Sequence, residues 1–339
     1  MSTPPRTLNE LFFGAMDRSA SRPVAMRVKR GGTWVGTSFA ELLSQVQAFS
    51  IGLHELGVNA GDRLAILSEN RPEWAVTDFA CLACRCADVP VYPTLPAHQI
   101  EYILRDSGAV AVCCSSAAQL GKILEIRGNL PALKTIVVFD ADAATGGALT
   151  FDSVLAKGRA AIPKYPTWRA DALAVKPDDL ATLIYTSGTT GDPKGVMLTH
   201  GNITSDVMAG LQVLDLRQSD ECLSFLPLSH IFERMAGHYC MTQQGAIINY
   251  ATSIESVPIE MGELRPTVVC SVPRLYEKIY ARVLENAMAG SPTKQKIFLW
   301  AKRIGEARAE LAIEGKPIPA ALGFKYRIGH KLVFSKLVA

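Results

Sequence analysis

The sequence predicts an α/β protein of two closely joined lobes, and three observations predict it. Helical and strand-like patterns alternate from Phe39 to about Phe139. The alternation resumes at Leu180 after a stretch richer in Gly, Pro and short polar runs. The 339 residues exceed the ~250 to 300 at which one core usually stops growing.

Residues Phe39 to Gly57 carry apolar side chains at helical spacing and end on Gly57, a residue suited to the position after a helix. RLAILS (63–68) reads as a buried strand, and Pro72 opens a helix with proline in its first turn. VPVYP, VAVCCS and TIVVFD read as strands, separated by the helices HQIEYILRDSG and SAAQLGKILEIRG, which is repeated β-α-β. Residues of about 141–178 have the composition of a connection, so lobes are expected at 1–175 and 176–339. Beyond it come the strand LATLIY (180–185), a helix at 202–214, the strand CLSFLP, a helix at 232–243 and the strand GAIINY. The last seventy residues change to amphipathic helical patterns.

With 48% hydrophobic residues the chain can bury a large core. The net charge of +3 is too small for a nucleic-acid-coating surface. No apolar run resembles a signal segment or approaches the ~18 residues of a membrane span, so a cytoplasmic protein is expected. Peripheral contact with the inner face of a membrane is left open. Among eight cysteines, Cys81, Cys84 and Cys86 lie in an apolar helical segment without a second ligand pair at zinc spacing, so they read as buried free thiols. Cys113 and Cys114 read the same way.

The chemistry concentrates in YTSGTTGDPKGVMLTH (185–200), where Gly, Ser and Thr stand between two apolar strands with one lysine. Glycines at 188, 191 and 195 allow positive φ and close approach of backbone N–H groups to an anion. Ser187, Thr189 and Thr190 add hydroxyls, and Lys194 a positive charge for a phosphate. A flexible linker has the same composition, but a linker seldom sets Asp-Pro-Lys-Gly beside two buried strands. The Walker A loop is excluded, because Lys194 is followed by Gly195 and a strand, not by Ser or Thr and a helix.

This segment resembles the phosphate-binding signature of the adenylate-forming superfamily, which includes acyl-CoA synthetases. LPLSHIFER (226–234) resembles that family's second core motif, and VPRLYEKIY (272–280) resembles its long-chain acyl-CoA synthetase branch. NRPEWAVTDFACLACRCADVPVYPTL is similar to an early family segment, where a Gly-Ala more usually stands near Cys86 and Ala87. The resemblance implies a layered αβαβα fold with two mixed or parallel sheets, the second truncated. It also implies ligation of a long-chain fatty acid to coenzyme A: ATP adenylates the carboxylate with release of pyrophosphate, and the thiol then displaces AMP. Thr186, Ser187, Gly188, Thr189, Thr190, Gly191, Lys194 and Gly195 would hold the ATP phosphates, Thr186 would help ligate Mg²⁺, and His230 would act near the α-phosphate and acyl carboxylate.

Plainer readings stand beside these. His230 alone would pass for a satisfied interior histidine, and Glu233 with Arg234 for a structural ion pair. His200 and Asn202 read as capping residues. Trp300 with Phe298 and Leu299 reads as core before tunnel lining, and the basic residues between Lys294 and Lys336 as a solvated face. No Gly-rich segment, Thr-Glu motif, ribose-binding Asp or C-terminal domain with its lysine resembles anything before Ala339. The expectation is therefore a partial phosphate site with little ligase activity, and exposed apolar surface favouring homo-oligomers. Two rivals remain: a fatty acyl-AMP ligase or other acid ligase, told apart by whether AMP release needs coenzyme A, and a non-catalytic nucleotide- or lipid-binding module.

Overall fold

The computed structural model describes residues 4–186 and 192–337. Two compact units form, Met1–Cys270 and Ser271–Ala339. In the first, eleven strands are described: β1 (Met26–Arg30), β2 (Thr33–Thr37), β3 (Arg63–Leu67), β4 (Ala87–Val91), β5 (Ala111–Cys114), β6 (Thr135–Val138), β7 (Leu149–Thr150), β8 (Leu180–Thr186), β9 (Lys194–Thr199), β10 (Glu221–Ser224) and β11 (Ile247–Tyr250).

They make two mixed sheets. The seven-stranded sheet runs β7-β6-β5-β3-β4-β8-β9, parallel throughout except that β9 returns antiparallel to β8. The four-stranded sheet runs β10-β11-β1-β2, with only the β1–β2 hairpin antiparallel. Chain halves and sheets do not coincide: β8 and β9, from beyond residue 175, complete the first sheet, and β1 and β2, from the amino-terminal end, complete the second.

The central strands are apolar on both faces because both faces are covered. Leu64 and Ile66 of β3 enter one core cluster, and Ala65 and Leu67 the other. The second cluster lies under the helices Ala97–Ser107 and Ala117–Ile126. The first gathers helices Leu8–Ser19, Phe39–Glu55 and Pro72–Ala83 together with Met26, Ile248 and Tyr250 of the smaller sheet. Helix Val257–Leu264 also reaches that sheet, through Glu263, whose carboxylate meets Lys29 at 2.7 Å and Trp34 at 3.1 Å.

The stretch expected to be a connection, 141–178, holds the helix Phe151–Ala161 instead. The runs AATGG and AAIPKYPTW suggested a connection, yet between them Gly158 and other small residues permit close helix packing. A Cβ on Gly158 would fall 1.7 Å from the Ala48 carbonyl oxygen, and one on Gly52 2.3 Å from that of Val154, so this helix and Phe39–Glu55 cross nearly backbone to backbone. The helix expected at 232–243 is likewise modified: after one turn, Ile231–Glu233, the backbone widens into a π-helix over Arg234–Cys240 before closing as Met241–Gln244. Such bulges concentrate at functional sites.

In the second unit the helices Pro273–Met288, Pro292–Ile313 and Ala320–Leu332 bury little. Ala301 and Gly329 are its buried points, and Trp300 lies half-buried against Gly329, so it packs between helices. Ile313, Phe324 and Tyr276 are exposed. No helix among the described residues is long and apolar enough to cross a membrane.

Candidate functional site

The Gly/Ser/Thr segment lies between β8 and β9, which pair antiparallel. Register pairs Tyr185 with Gly195 and Thr186 with Lys194, so the hydroxyl and the ammonium stand opposite each other at the hairpin mouth, both exposed. Ser187, Gly188, Thr189, Thr190 and Gly191 lie outside the described residues. Gly195 corrects one expectation. It lies within β9 and is not among the positive-φ glycines, and a Cβ there would come 3.1 Å from the Tyr185 ring. It serves as space for an aromatic ring. Tyr185 is held from the other side by its hydroxyl, which donates to the Asp106 carboxylate at 2.6 Å, so the root of the loop is anchored.

The second motif begins where β10 leaves its sheet. His230 is exposed and caps the short helix behind it, its Nδ1 accepting the Phe232 N–H at 3.1 Å. In the tautomer that fits this hydrogen bond the ring proton is on Nε2. An apolar cavity of about 710 Å³ links the two motifs, with Thr186 at one part of its wall and Ile231 and Met235 at another. Ile184, Leu198 and Ile203 line it between them.

Behind His230 lies a buried charged cluster that sequence reasoning understated. Arg234 is fully buried; its Nη1 donates at 2.8 Å to both Asp88 and Thr182, and its Nη2 to Asp78 and Asp88. Tyr239 donates to Asp78 at 3.0 Å, His238 Nε2 lies 3.2 Å from the same carboxylate, and the guanidinium sits 5.5 Å from the Trp74 ring. The structural ion pair anticipated for this motif thus belongs to Arg234, with partners on a helix and on β4. Burial opposes both Arg234's charge and the ionisation of Asp78, but their mutual attraction wins, holding the guanidinium charged and Asp78 below the usual carboxylate range. Asp88 moves the other way, to about 7, because burial and the neighbouring Asp78 outweigh its share of Arg234. The available signal was an aspartate inside each of two otherwise apolar runs, WAVTDFA and ADVPV, since a buried carboxylate demands a partner.

Glu233, next in the chain, is also buried but has no hydrogen-bond partner on either oxygen. Burial raises its carboxyl to about 8, Cys270 adds to the rise and the nearby Ser224 hydroxyl eases it slightly. His200 departs from the capping expectation. Thr199 and Asn202 form the reciprocal cap, at 3.0 and 3.2 Å, while His200 is buried and accepts the Leu8 N–H at 3.3 Å. Burial lowers its imidazole to about 4, so it is neutral. Cys81, Cys86, Cys113 and Cys114 are buried free thiols as expected, whereas Cys84 is half-buried. No group of three or more His, Cys, Asp or Glu among the described residues could hold a metal ion.

The family model for AMP-binding enzymes matches residues 14–333. The chain is 34% identical over 310 residues to the long-chain-fatty-acid–CoA ligase FadD15 of Mycobacterium bovis, covering 91% of this chain and 50% of that protein. It is 32% identical to the peroxisomal long chain acyl-CoA synthetase 7 of Arabidopsis thaliana, covering 98% of this chain and 47% of the relative. The chain therefore spans about half the length of the curated relatives it matches. Among solved structures, the N-terminal domain of FACL13 from Mycobacterium tuberculosis shares the fold at a TM-score of 0.67 and 23% identity, over 80% of this chain and 64% of that one. The anthranilate CoA ligase AuaEII, solved with anthranoyl-AMP, shares it at 0.66 and 23% identity, over 78% and 50%. With two mixed sheets and a family-model match over nearly its whole length, this chain belongs to the AMP-binding enzyme family.

Proposed function

We propose that the chain supplies the nucleotide cradle and acyl pocket of an ATP-dependent long-chain fatty acid:CoA ligase. The observation that carries this reading is the apolar cavity reaching from Thr186 to Ile231: one hollow touches the phosphate-loop strand and the residue beside His230. At about 710 Å³ it falls in the range of small-molecule sites, and its aliphatic lining suits an alkyl chain. In this reading a fatty carboxylate oxygen attacks the α-phosphorus of ATP, the bond to pyrophosphate breaks, and coenzyme A thiol then attacks the acyl carbon as AMP leaves.

Lys194, with the loop residues Ser187 to Gly191, neutralises and orients the phosphates, and His230 presents Nε2–H to the carboxylate or α-phosphate. Mg²⁺ suits a donor set of phosphate oxygens with the Thr186 hydroxyl, and it would supply charge neutralisation there. The complete reaction, including thioester formation, is assigned to a whole-length protein, since the curated relatives are about twice as long. A cytoplasmic enzyme with peripheral membrane contact and self-association through exposed side chains such as Phe324 and Ile313 completes the proposal.

Calorimetric titration with ATP–Mg²⁺ and separately with palmitate tests it. Wild type should bind both. Lys194→Ala should weaken ATP about tenfold and spare palmitate. Ala209→Trp, at the cavity wall, should do the reverse. A folded chain that binds neither ligand sinks the reading.

A further inference from the structure

We infer that Asn70 is a positioning residue for His230. The inference rests on the role proposed for His230 above, and its geometry is independent of that role. β10 ends at Ser224, so the segment Phe225–His230 runs on without a strand beside it. Asn70, half-buried in the loop after β3, takes the place of that strand. Its amide nitrogen donates to the Leu226 carbonyl at 2.7 Å and to the Ser224 hydroxyl at 3.1 Å, and its amide oxygen accepts the Leu228 N–H at 3.0 Å. One planar amide thus grips the backbone on both sides of Pro227. The turn closes from there: the His230 N–H donates to the Pro227 carbonyl at 2.9 Å, and the ring accepts the Phe232 N–H.

Only asparagine has a donor and an acceptor at this reach; aspartate would set a carboxylate against the Leu226 carbonyl and lose both donated bonds. The loop bearing Asn70 is itself held. The Glu69 carboxylate accepts from Ser115 and from Gln119 at 3.0 Å, and Arg71 donates to Asp140 at 2.9 Å. Asn70 therefore transmits the position of the larger sheet to a segment leaving the smaller one, with His230 at its end. In the reaction proposed above it touches no substrate.

The test is the ring state of His230 in the whole chain, read by nitrogen NMR with labelled histidine and identified by its loss in His230→Gln. Wild type should show a Nε2–H tautomer. Asn70→Ala should cut the ratio of the two His230 tautomers roughly fivefold while leaving the His54 and His98 signals in place, and Asn70→Asp should lie between. Unchanged His230 signals in either folded variant overturn the inference. A Leu228 amide that exchanges with solvent as freely as an unbonded one overturns it in wild type alone, whether or not the variants fold. ATP–Mg²⁺ titration of wild type is a separate arm: failure to bind would fell the ligase reading and leave the spectra to decide the positioning.

Discussion

Glu233 and Arg234 are neighbours in one motif, both without solvent exposure, and they reach opposite charge states. Arg234 meets two carboxylates, a hydroxyl and two aromatic faces, so its charge is kept. Glu233 meets no bonded donor, so burial pushes its carboxyl to about 8 and it is largely neutral at pH 7. Burial is common to both; partnership differs. A buried ionisable group keeps its charge only where the fold brings an opposite charge and hydrogen bonds to it.

The largest effect should come from breaking the partnered member. Arg234→Met leaves Asp78 and Asp88 facing each other without a cation, and a stability loss of about 3–5 kcal/mol is expected from urea unfolding. A loss under about 1 kcal/mol would show the cluster to be worth little. Adding Asp78→Asn and Asp88→Asn to that variant should recover part of the loss, because the uncompensated charges go with the arginine.

Glu233 sharpens the contrast through pH. Its folded pKa is raised above the unfolded value, so the folded state holds a proton that the unfolded state has released. Its contribution is fully present below about pH 4.3 and declines as pH rises toward about 8, by up to about 1.4 kcal/mol per pH unit. Glu233→Gln removes that dependence. The variant should gain on wild type between pH 5 and pH 8, and an equal difference at both pH values would refute a neutral Glu233.

Thr182→Val probes the cluster's edge, where one hydroxyl accepts from Arg234 and donates to Asp88 at 2.8 Å; about 1–2 kcal/mol should be lost. The smallest effect is expected at a third charged residue, Arg85, whose burden is conformational. It is exposed and sits at φ 60°, where an L side chain is strained. Arg85→Gly should therefore stabilise by about 0.5–1 kcal/mol, relief of strain exceeding the added freedom of the unfolded chain. A lower melting temperature would contradict this.

Much of the larger sheet was legible because its strands are short apolar runs between helices of clear period. β3, β5, β6 and β8 lie where alternation placed them, within a residue or two. The segment between β8 and β9 could be singled out by its residue types, although Gly195 lies in β9 and clears space for Tyr185. The helix Phe151–Ala161 was missed because Gly- and Pro-rich runs flank it, and the role of its Gly158 shows only in the close approach to Ala48. Among site residues, Thr186, Lys194 and His230 could be chosen from motifs. Asn70 could not, since nothing near it in the chain requires an amide.

By itself the sequence determined the central strands of the larger sheet and the helices between them, set by periodicities spanning a few residues, and the caps formed by Ser38 and Thr199 are equally local. The tertiary structure alone decided which strands share a sheet, that Arg234 finds Asp88 and Asp78 across 146 and 156 positions, and that Asn70 holds Leu228 across 158. Local propensity acts over a turn or a strand, whereas these partners meet only because burying two sheets around one helical layer brings distant chain segments to the same place.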